Sequence, residues 1–203
     1  MAKCGMRRFE PSFRRPPSLG RRWLAAAFAV LLAPGPAGAL TLRELLDEKE
    51  LTPKRFAGHF ARFDYEFGVE VLQADVFLAR RKGDCDDYAV LAGHVLGHHG
   101  HATRLIHVRM VGRVAHAVCY VNGAKAYLDY NNRKYALNVE RCGATLREIA
   151  AQVAESFKAN WTSVSEFTYT YAEERKHFGV TVVKTDPPAS DPDRNPPAAK
   201  SAP

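Results

Sequence analysis

Three residues stand in this chain in an order that could carry out acyl transfer. Cys85 lies in the run Gly83-Asp84-Cys85-Asp86-Asp87-Tyr88-Ala89-Val90-Leu91, and His116 in Val114-Ala115-His116-Ala117-Val118-Cys119-Tyr120-Val121. Asp129 follows in Ala126-Tyr127-Leu128-Asp129-Tyr130, after an Asn122-Gly123 step. A thiol nucleophile needs a base, and the base needs a third group to hold it in one tautomer. Cys85, His116 and Asp129 fit those roles, and the chemistry calls for no cofactor and no metal. The plain alternative is that His116 and Asp129 form an ordinary cross-strand pair on a half-exposed sheet.

The elements around them must bring the three together. Asn-Gly between alternating apolar stretches is the strongest short hairpin signal, because a type I′ turn needs positive φ at both central residues. A two-residue loop puts Val121 opposite Ala124 and His116 opposite Asp129, with Cβ atoms about 4.5–5.5 Å apart. A one-residue slip would send Asp129 to the other face. Cys85 opens an amphipathic helix expected to run to about His99, with Tyr88, Leu91, Ala92, Val95 and Leu96 on one stripe and Gly100 as its stop.

The helix N-terminus and a nearby imidazolium both favour a thiolate at Cys85. Asp84, Asp86 and Asp87 oppose it unless their charges are turned away or neutralised. They could cap the first turn by accepting its free N–H groups, or help to bind Ca²⁺, a hard cation that prefers carboxylate oxygens. Capping is favoured, since no Gly-spaced calcium loop is present. At the other end of the helix His94, His98, His99 and His101 crowd together. His94 and His98 form an i,i+4 pair able to grip Zn²⁺ or Ni²⁺, although histidines also suit a helix C-terminus without any metal. Cys119 points away from the face of His116; a Cys119–Cys142 bridge and two buried apolar cysteines are the two readings of that pair.

The chain has 203 residues and a formal net charge of +7. Residues 1–39 read as an export signal: a basic stretch ending in Arg21-Arg22, the apolar run Trp23 to Leu32, and Ala37-Gly38-Ala39 before a mature start near Leu40. The apolar run is short for a membrane span, which makes an uncleaved anchor the lesser reading. That segment holds seven of the 29 Lys and Arg and one of the 22 Asp and Glu, so 22 basic residues face 21 acidic ones in the remainder. The excess charge belongs to the leader, and nothing argues for nucleic acid. The expected setting is therefore periplasmic or extracellular, with no stable membrane insertion after processing.

Residues 40–184 suffice for one domain with a sizeable core. Thr41 with Glu44, Thr52-Pro53, and Thr145 with Glu148 mark helix starts, the second helix being expected to run through Phe56, Phe60 and Phe63. Residues 64–78 read as extended pieces and loop. Strands are expected over 102–111, 114–121 and 124–130, and again over 163–171 and 178–184. The sum is α+β, a cysteine-bearing helix packed on an antiparallel sheet. Residues 185–203, rich in Pro, Asp, Ala and Lys, read as a disordered tail.

The pattern Gly-Asp-Cys85-Asp-Asp-Tyr-Ala-Val-Leu, then a strand with His116, then a strand with Asp129, resembles the bacterial transglutaminase-like cysteine peptidases. It covers roughly residues 60 to 135. The resemblance implies a papain-like core, with Cys85 as nucleophile, His116 as general base and acid, and Asp129 as orienting acid. It also implies an upstream oxyanion-hole side chain, for which Gln73 is the candidate beside the Cys85 N–H. The implied partner is a protein or peptide substrate, cleaved by water. A crosslinking transglutaminase and a non-enzymatic binding module on the same fold are the alternatives.

Overall fold

A computed structural model describes residues 40–135 and 139–185. The leader at 1–39, and the tail beyond Thr185, lie outside the described residues. Among the described residues no helix is long and apolar enough to cross a membrane.

All the helices but the short third one begin where a side chain takes up the first free N–H groups. Helix α1, Leu42–Asp47, opens on a reciprocal Thr41–Glu44 capping box. Helix α2, Pro53–His59, has Pro at its start, and the Thr52 hydroxyl accepts from the Arg55 N–H. It stops at His59, earlier than expected, and Phe60 and Phe63 follow it in loop yet remain buried. Strand β1 (Asp64–Tyr65) pairs in parallel with β2 (Lys82–Gly83), and helix α3, Ala74–Arg80, lies between them. The sequence reading missed α3. Its apolar face is only Ala74, Phe77 and Leu78, and its C-terminal stop is Arg81 at φ 52°, where glycine is the usual sign of a left-handed cap.

Helix α4, Cys85–His98, follows at once, capped by Asp84. The strands β3 (Thr103–Met110), β4 (His116–Val121) and β5 (Ala126–Leu128) form a meander, continued by a 3-10 turn at Tyr130–Asn132 and strand β6 (Val139–Arg141). Helix α5, Leu146–Ser156, opens on a Thr145–Glu148 capping box, and β7 (Trp161–Thr170) and β8 (Arg175–Val183) are the last elements of the described residues. The main sheet is antiparallel throughout, in the order β6-β5-β4-β3-β7-β8. The architecture is α+β.

The sheet is covered on both faces. On one, α4 lies along β4 and β3, so closely that a Cβ at Gly93 would meet Leu105 Cδ2 at 2.8 Å. Tyr88, Leu91 and Val95 of α4 join Phe56, Phe60, Phe63, Phe77 and Cys119 in one core. Phe60 sits 4.8 Å from Phe63 and 5.1 Å from Tyr88 between ring centroids. Burying each such ring is worth roughly 1.5–3 kcal/mol, so Phe60, the C-cap of α2, and Phe63 beyond it hold their places chiefly by packing. On the other face Ile149 and Val153 of α5 meet Val118, Tyr120, Tyr127 and Val164.

The β4–β5 turn differs from the expected one. Four residues, Asn122 to Lys125, connect the strands, and Val121 faces Ala126. The left-handed residue is Lys125, at φ 47°, whose N–H donates to the Asn122 carbonyl at 3.1 Å. A turn closed by a left-handed residue is the other short hairpin solution. The register moves by two residues from the two-residue-loop expectation. Because side chains alternate with period two, a shift of two keeps Asp129 on the face of His116, as a diagonal neighbour.

Candidate active site

Cys85 owes its position to its neighbours. Gly83 must be glycine: a Cβ there would meet the Phe77 ring at 2.7 Å and the Asp87 carboxylate. Asp84 caps α4, its Oδ1 accepting from the N–H of Asp86 at 2.9 Å and of Asp87 at 3.3 Å. Asp87 returns the bond, Oδ2 accepting from the Asp84 N–H at 2.8 Å. The remaining oxygens reach outward: Asp84 Oδ2 accepts from Gly68 N–H at 3.0 Å, and Asp87 Oδ1 from Leu72 N–H at 2.7 Å. Both carboxylates thus hold the segment 66–72 against the start of α4. Burial pushes Asp87 up to about 6, against the pull of the Leu72 and Asp84 N–H groups.

Asp86 is paired differently, with Lys176 Nζ at 2.7 Å. The capping reading therefore holds for Asp84 and Asp87. A Ca²⁺ would have to share oxygens that already accept from backbone N–H groups or face an ammonium, with only Asp86 Oδ1 lacking such a partner.

His116 opens β4 and is buried, as is Asp129 at the end of β5. The Nε2–H of His116 donates to Asp129 Oδ1 at 2.9 Å, and the same oxygen accepts from the Asn131 N–H at 2.8 Å. The 3-10 turn after Asp129 thus fixes the carboxylate that fixes the ring. The thiol of Cys85 is in hydrogen-bonding reach of His116, and with Nε2 engaged the nitrogen free for it is Nδ1. Phe157 stands edge-on to the imidazole at 4.8 Å between centroids, closing its other side. Burial alone would lower the proton affinity of His116. The Asp129 charge and hydrogen bond, reinforced by Cys85, override it and push the imidazole up to about 10. An imidazolium between a carboxylate and a thiol is the charge distribution that sustains a thiolate.

Cys85 and His116 open into a cleft of about 410 Å³ lined also by Tyr65, Phe67, Asp86, His107 and Val114, with Asp129 buried behind the imidazole. Its rim is apolar and wet: Phe67 is 62% exposed, Val69 93% and Val114 69%. Tyr65 is held beside Gly83 by the β1–β2 pairing. Burial, then the charges of Cys85, Asp84 and Asp86, push its phenol up to about 12, leaving it a hydrogen-bond donor at neutral pH. Among the first-turn N–H groups of α4, those of Asp86, Asp87 and Tyr88 have acceptors. The Cys85 N–H is the one left without an acceptor in this turn, on a residue that lines the cleft.

Gln73 is not brought to this place. It precedes α3 without capping it and turns its Nε2 to the Tyr171 carbonyl at 3.2 Å and to Glu174 Oε1 at 2.5 Å. The sequence reading passed over Tyr65 and His107, which carry no local signal; they become neighbours of Cys85 only through the β1–β2 and β3–β4 pairings.

The other suggestive residues have structural partners. His99 and His101 bond through Nε2 to the carbonyls of Leu45 at 2.8 Å and Leu51 at 3.0 Å. His94 stands edge-on to Tyr171, with its proton affinity lowered by burial and then by His98. Cys119 and Cys142 are free. They belong to cores on opposite faces of the sheet, and burial pushes the Cys119 thiol up to about 12. No protein-family model matches the chain, and no curated protein matches it.

Proposed function

We propose that this chain is an exported thiol-dependent acyl-transfer enzyme, a cysteine peptidase or amidase of the transglutaminase-like type with a papain-like core, working without a resident cofactor. One observation supports it above the others: a buried His116 whose ring is fixed by its Nε2–H bond to Asp129, with the Cys85 thiol in reach of the same ring, where Cys85 and His116 line an open cleft. The leader read in residues 1–39 would deliver that chemistry to the periplasm or beyond the cell.

The reaction follows from the geometry. Thiolate Cys85 attacks a carboxamide carbon, and the carbonyl oxygen takes up negative charge. The Cys85 N–H and the Tyr65 hydroxyl are the donors that meet it. His116 gives its Nδ1 proton to the leaving nitrogen as the C–N bond breaks, which leaves a thioester on Cys85. Neutral His116 then takes a proton from water, the resulting hydroxide attacks the thioester, and the acid product leaves as thiolate and imidazolium re-form. Asp129 keeps its charge throughout and holds the ring in place. The exposed apolar rim formed by Phe67, Val69 and Val114 suits a polypeptide with an apolar side chain next to the reacting bond.

The test is a peptide library incubated with the purified protein in H₂¹⁸O, with a labelled primary amine in a parallel sample. New C-termini carrying ¹⁸O, absent with Cys85→Ala, are the expected result. Amine incorporation in place of ¹⁸O would make it a crosslinking enzyme. Neither product from the wild type would leave a binding module and contradict the proposal.

A further inference from the structure

Three carboxylates next to a thiol oppose its ionisation, and the structure deals with them in two ways. Cys85 Sγ and one carboxylate oxygen each of Asp84 and Asp86 lie within 4.8 Å of one another. At that distance an uncompensated negative charge weighs heavily against a thiolate. Asp84 and Asp87 face the partial positive charges of backbone N–H groups. Asp86 makes no such bond. Its Oδ2 meets Lys176 Nζ at 2.7 Å, with the two side chains only 23% and 22% exposed. Its Oδ1 is buried without a hydrogen-bond partner.

Lys176 comes from a distant part of the chain. It lies on β8 opposite Tyr169, on the sheet face that carries α4, and its ammonium passes over the Phe167 ring at 5.9 Å to reach the helix start. The other cations of the cleft are engaged elsewhere. Arg113 turns to the Phe157 carbonyl at 3.5 Å. The His116 charge lies between Asp129 and the thiol. Burial lowers the proton affinity of His107, with Lys176, Arg109 and His116 adding to the effect against the pull of Asp86.

We propose that Lys176 is a positioning residue for the reactive thiol: its ammonium cancels the Asp86 charge beside Sγ, in the place a divalent cation would take, so that Cys85 reacts as a thiolate without a bound metal. The inference rests on the reading of Cys85 as a nucleophile. It makes the β7–β8 hairpin part of the site's electrostatics, although the hairpin supplies no reacting group.

The experiment is the rate of Cys85 alkylation by iodoacetamide at pH 7 in the full-length protein, read by peptide mass spectrometry, in EDTA and separately in millimolar Ca²⁺. The reagent is neutral, so the rate reports the thiolate and not attraction of the reagent. Lys176→Met is expected to slow Cys85 roughly three- to tenfold, and Lys176→Arg to stay within about twofold of wild type. Asp86→Asn alone, and Asp86→Asn with Lys176→Met, are expected to label at or above the wild-type rate, since no carboxylate then needs a counter-charge. Wild type is expected to label equally in EDTA and Ca²⁺. Lys176→Met at the wild-type rate would overturn the proposal. So would equally slow labelling of Lys176→Met and the double variant, the mark of a purely structural hairpin. Faster wild-type labelling in Ca²⁺ would also overturn it, by making the cation a bound metal. Should Lys176→Met not fold, a slowed Asp86→Asn would contradict the proposal by itself. Failure of the nucleophile reading would show separately, as wild-type Cys85 labelling no faster than a cysteine in the urea-unfolded chain.

Discussion

The two ends of helix α4 both carry dense polar chemistry, three aspartates at one and four histidines at or near the other, and they are put to opposite uses. At the N-terminal end the carboxylates of Asp84 and Asp87 build the local backbone, which leaves the Cys85 thiol in a cleft and in reach of His116. At the C-terminal end the rings of His99 and His101 bond directly to the carbonyls of Leu45 and Leu51, tying the end of α4 to α1 and the loop that follows it. Residue type alone made both ends candidates for chemistry. Side chains whose polar atoms all meet backbone partners are architecture; a reactive atom that those side chains leave facing a cleft is where chemistry can occur.

The largest expected effect breaks the N-terminal end. Cys85→Ala and His116→Ala should each lower kcat/KM on a cleaved peptide by roughly 10³-fold or more, with thermal unfolding still cooperative. Retained hydrolysis in either would end the comparison. Asp129→Ala should cost roughly 10- to 100-fold, because His116 would lose the acceptor that fixes its ring. Tyr65→Phe should cost about tenfold in kcat with little change in KM, since its hydroxyl acts on charge that appears only in the transition state.

Stability measurements sharpen the contrast. The imidazole of His116 is pushed from 6.5 up to about 10 in the folded state, so the folded protein keeps a proton that the unfolded chain gives up. The pair's contribution is then complete below about pH 6.5 and lost as pH rises toward 10. In urea titrations the advantage of wild type over His116→Gln should shrink across that window, and an advantage that grows with pH would contradict the assigned pairing. At the opposite end, His99→Ala or His101→Ala should cost about 1 kcal/mol of stability through a lost hydrogen bond and leave Cys85 labelling unchanged. A rise in melting temperature with Ni²⁺ would instead make that end a metal site. Gln73→Ala should be the smallest change, within twofold in kcat, because its amide lies on Tyr171 and Glu174.

How much of this was readable in the sequence depended on how local each signal was. The capping boxes, the apolar stripe of α4 and the meander come from short-range patterns, and the structure has them. The short helix α3 escaped because its cap is an arginine in a left-handed conformation. The turn after Val121 was read as two residues and has four, yet His116 still meets Asp129, because face depends on the parity of the register and not on its exact value. Tyr65, His107 and Lys176 reach Cys85 only through pairings between distant segments, and no periodicity within one segment can reveal such neighbours.

The most direct test of the central claim is the pH dependence of Cys85 alkylation in the native protein, with Cys119 and Cys142 as internal controls. The account predicts that Cys85 labels fast well below pH 8.5, the ordinary range of a free thiol, that Cys119 stays silent in its core, and that His116→Ala abolishes the low-pH labelling. Cys85 labelling only in the ordinary thiol range, unchanged by His116→Ala, would contradict it.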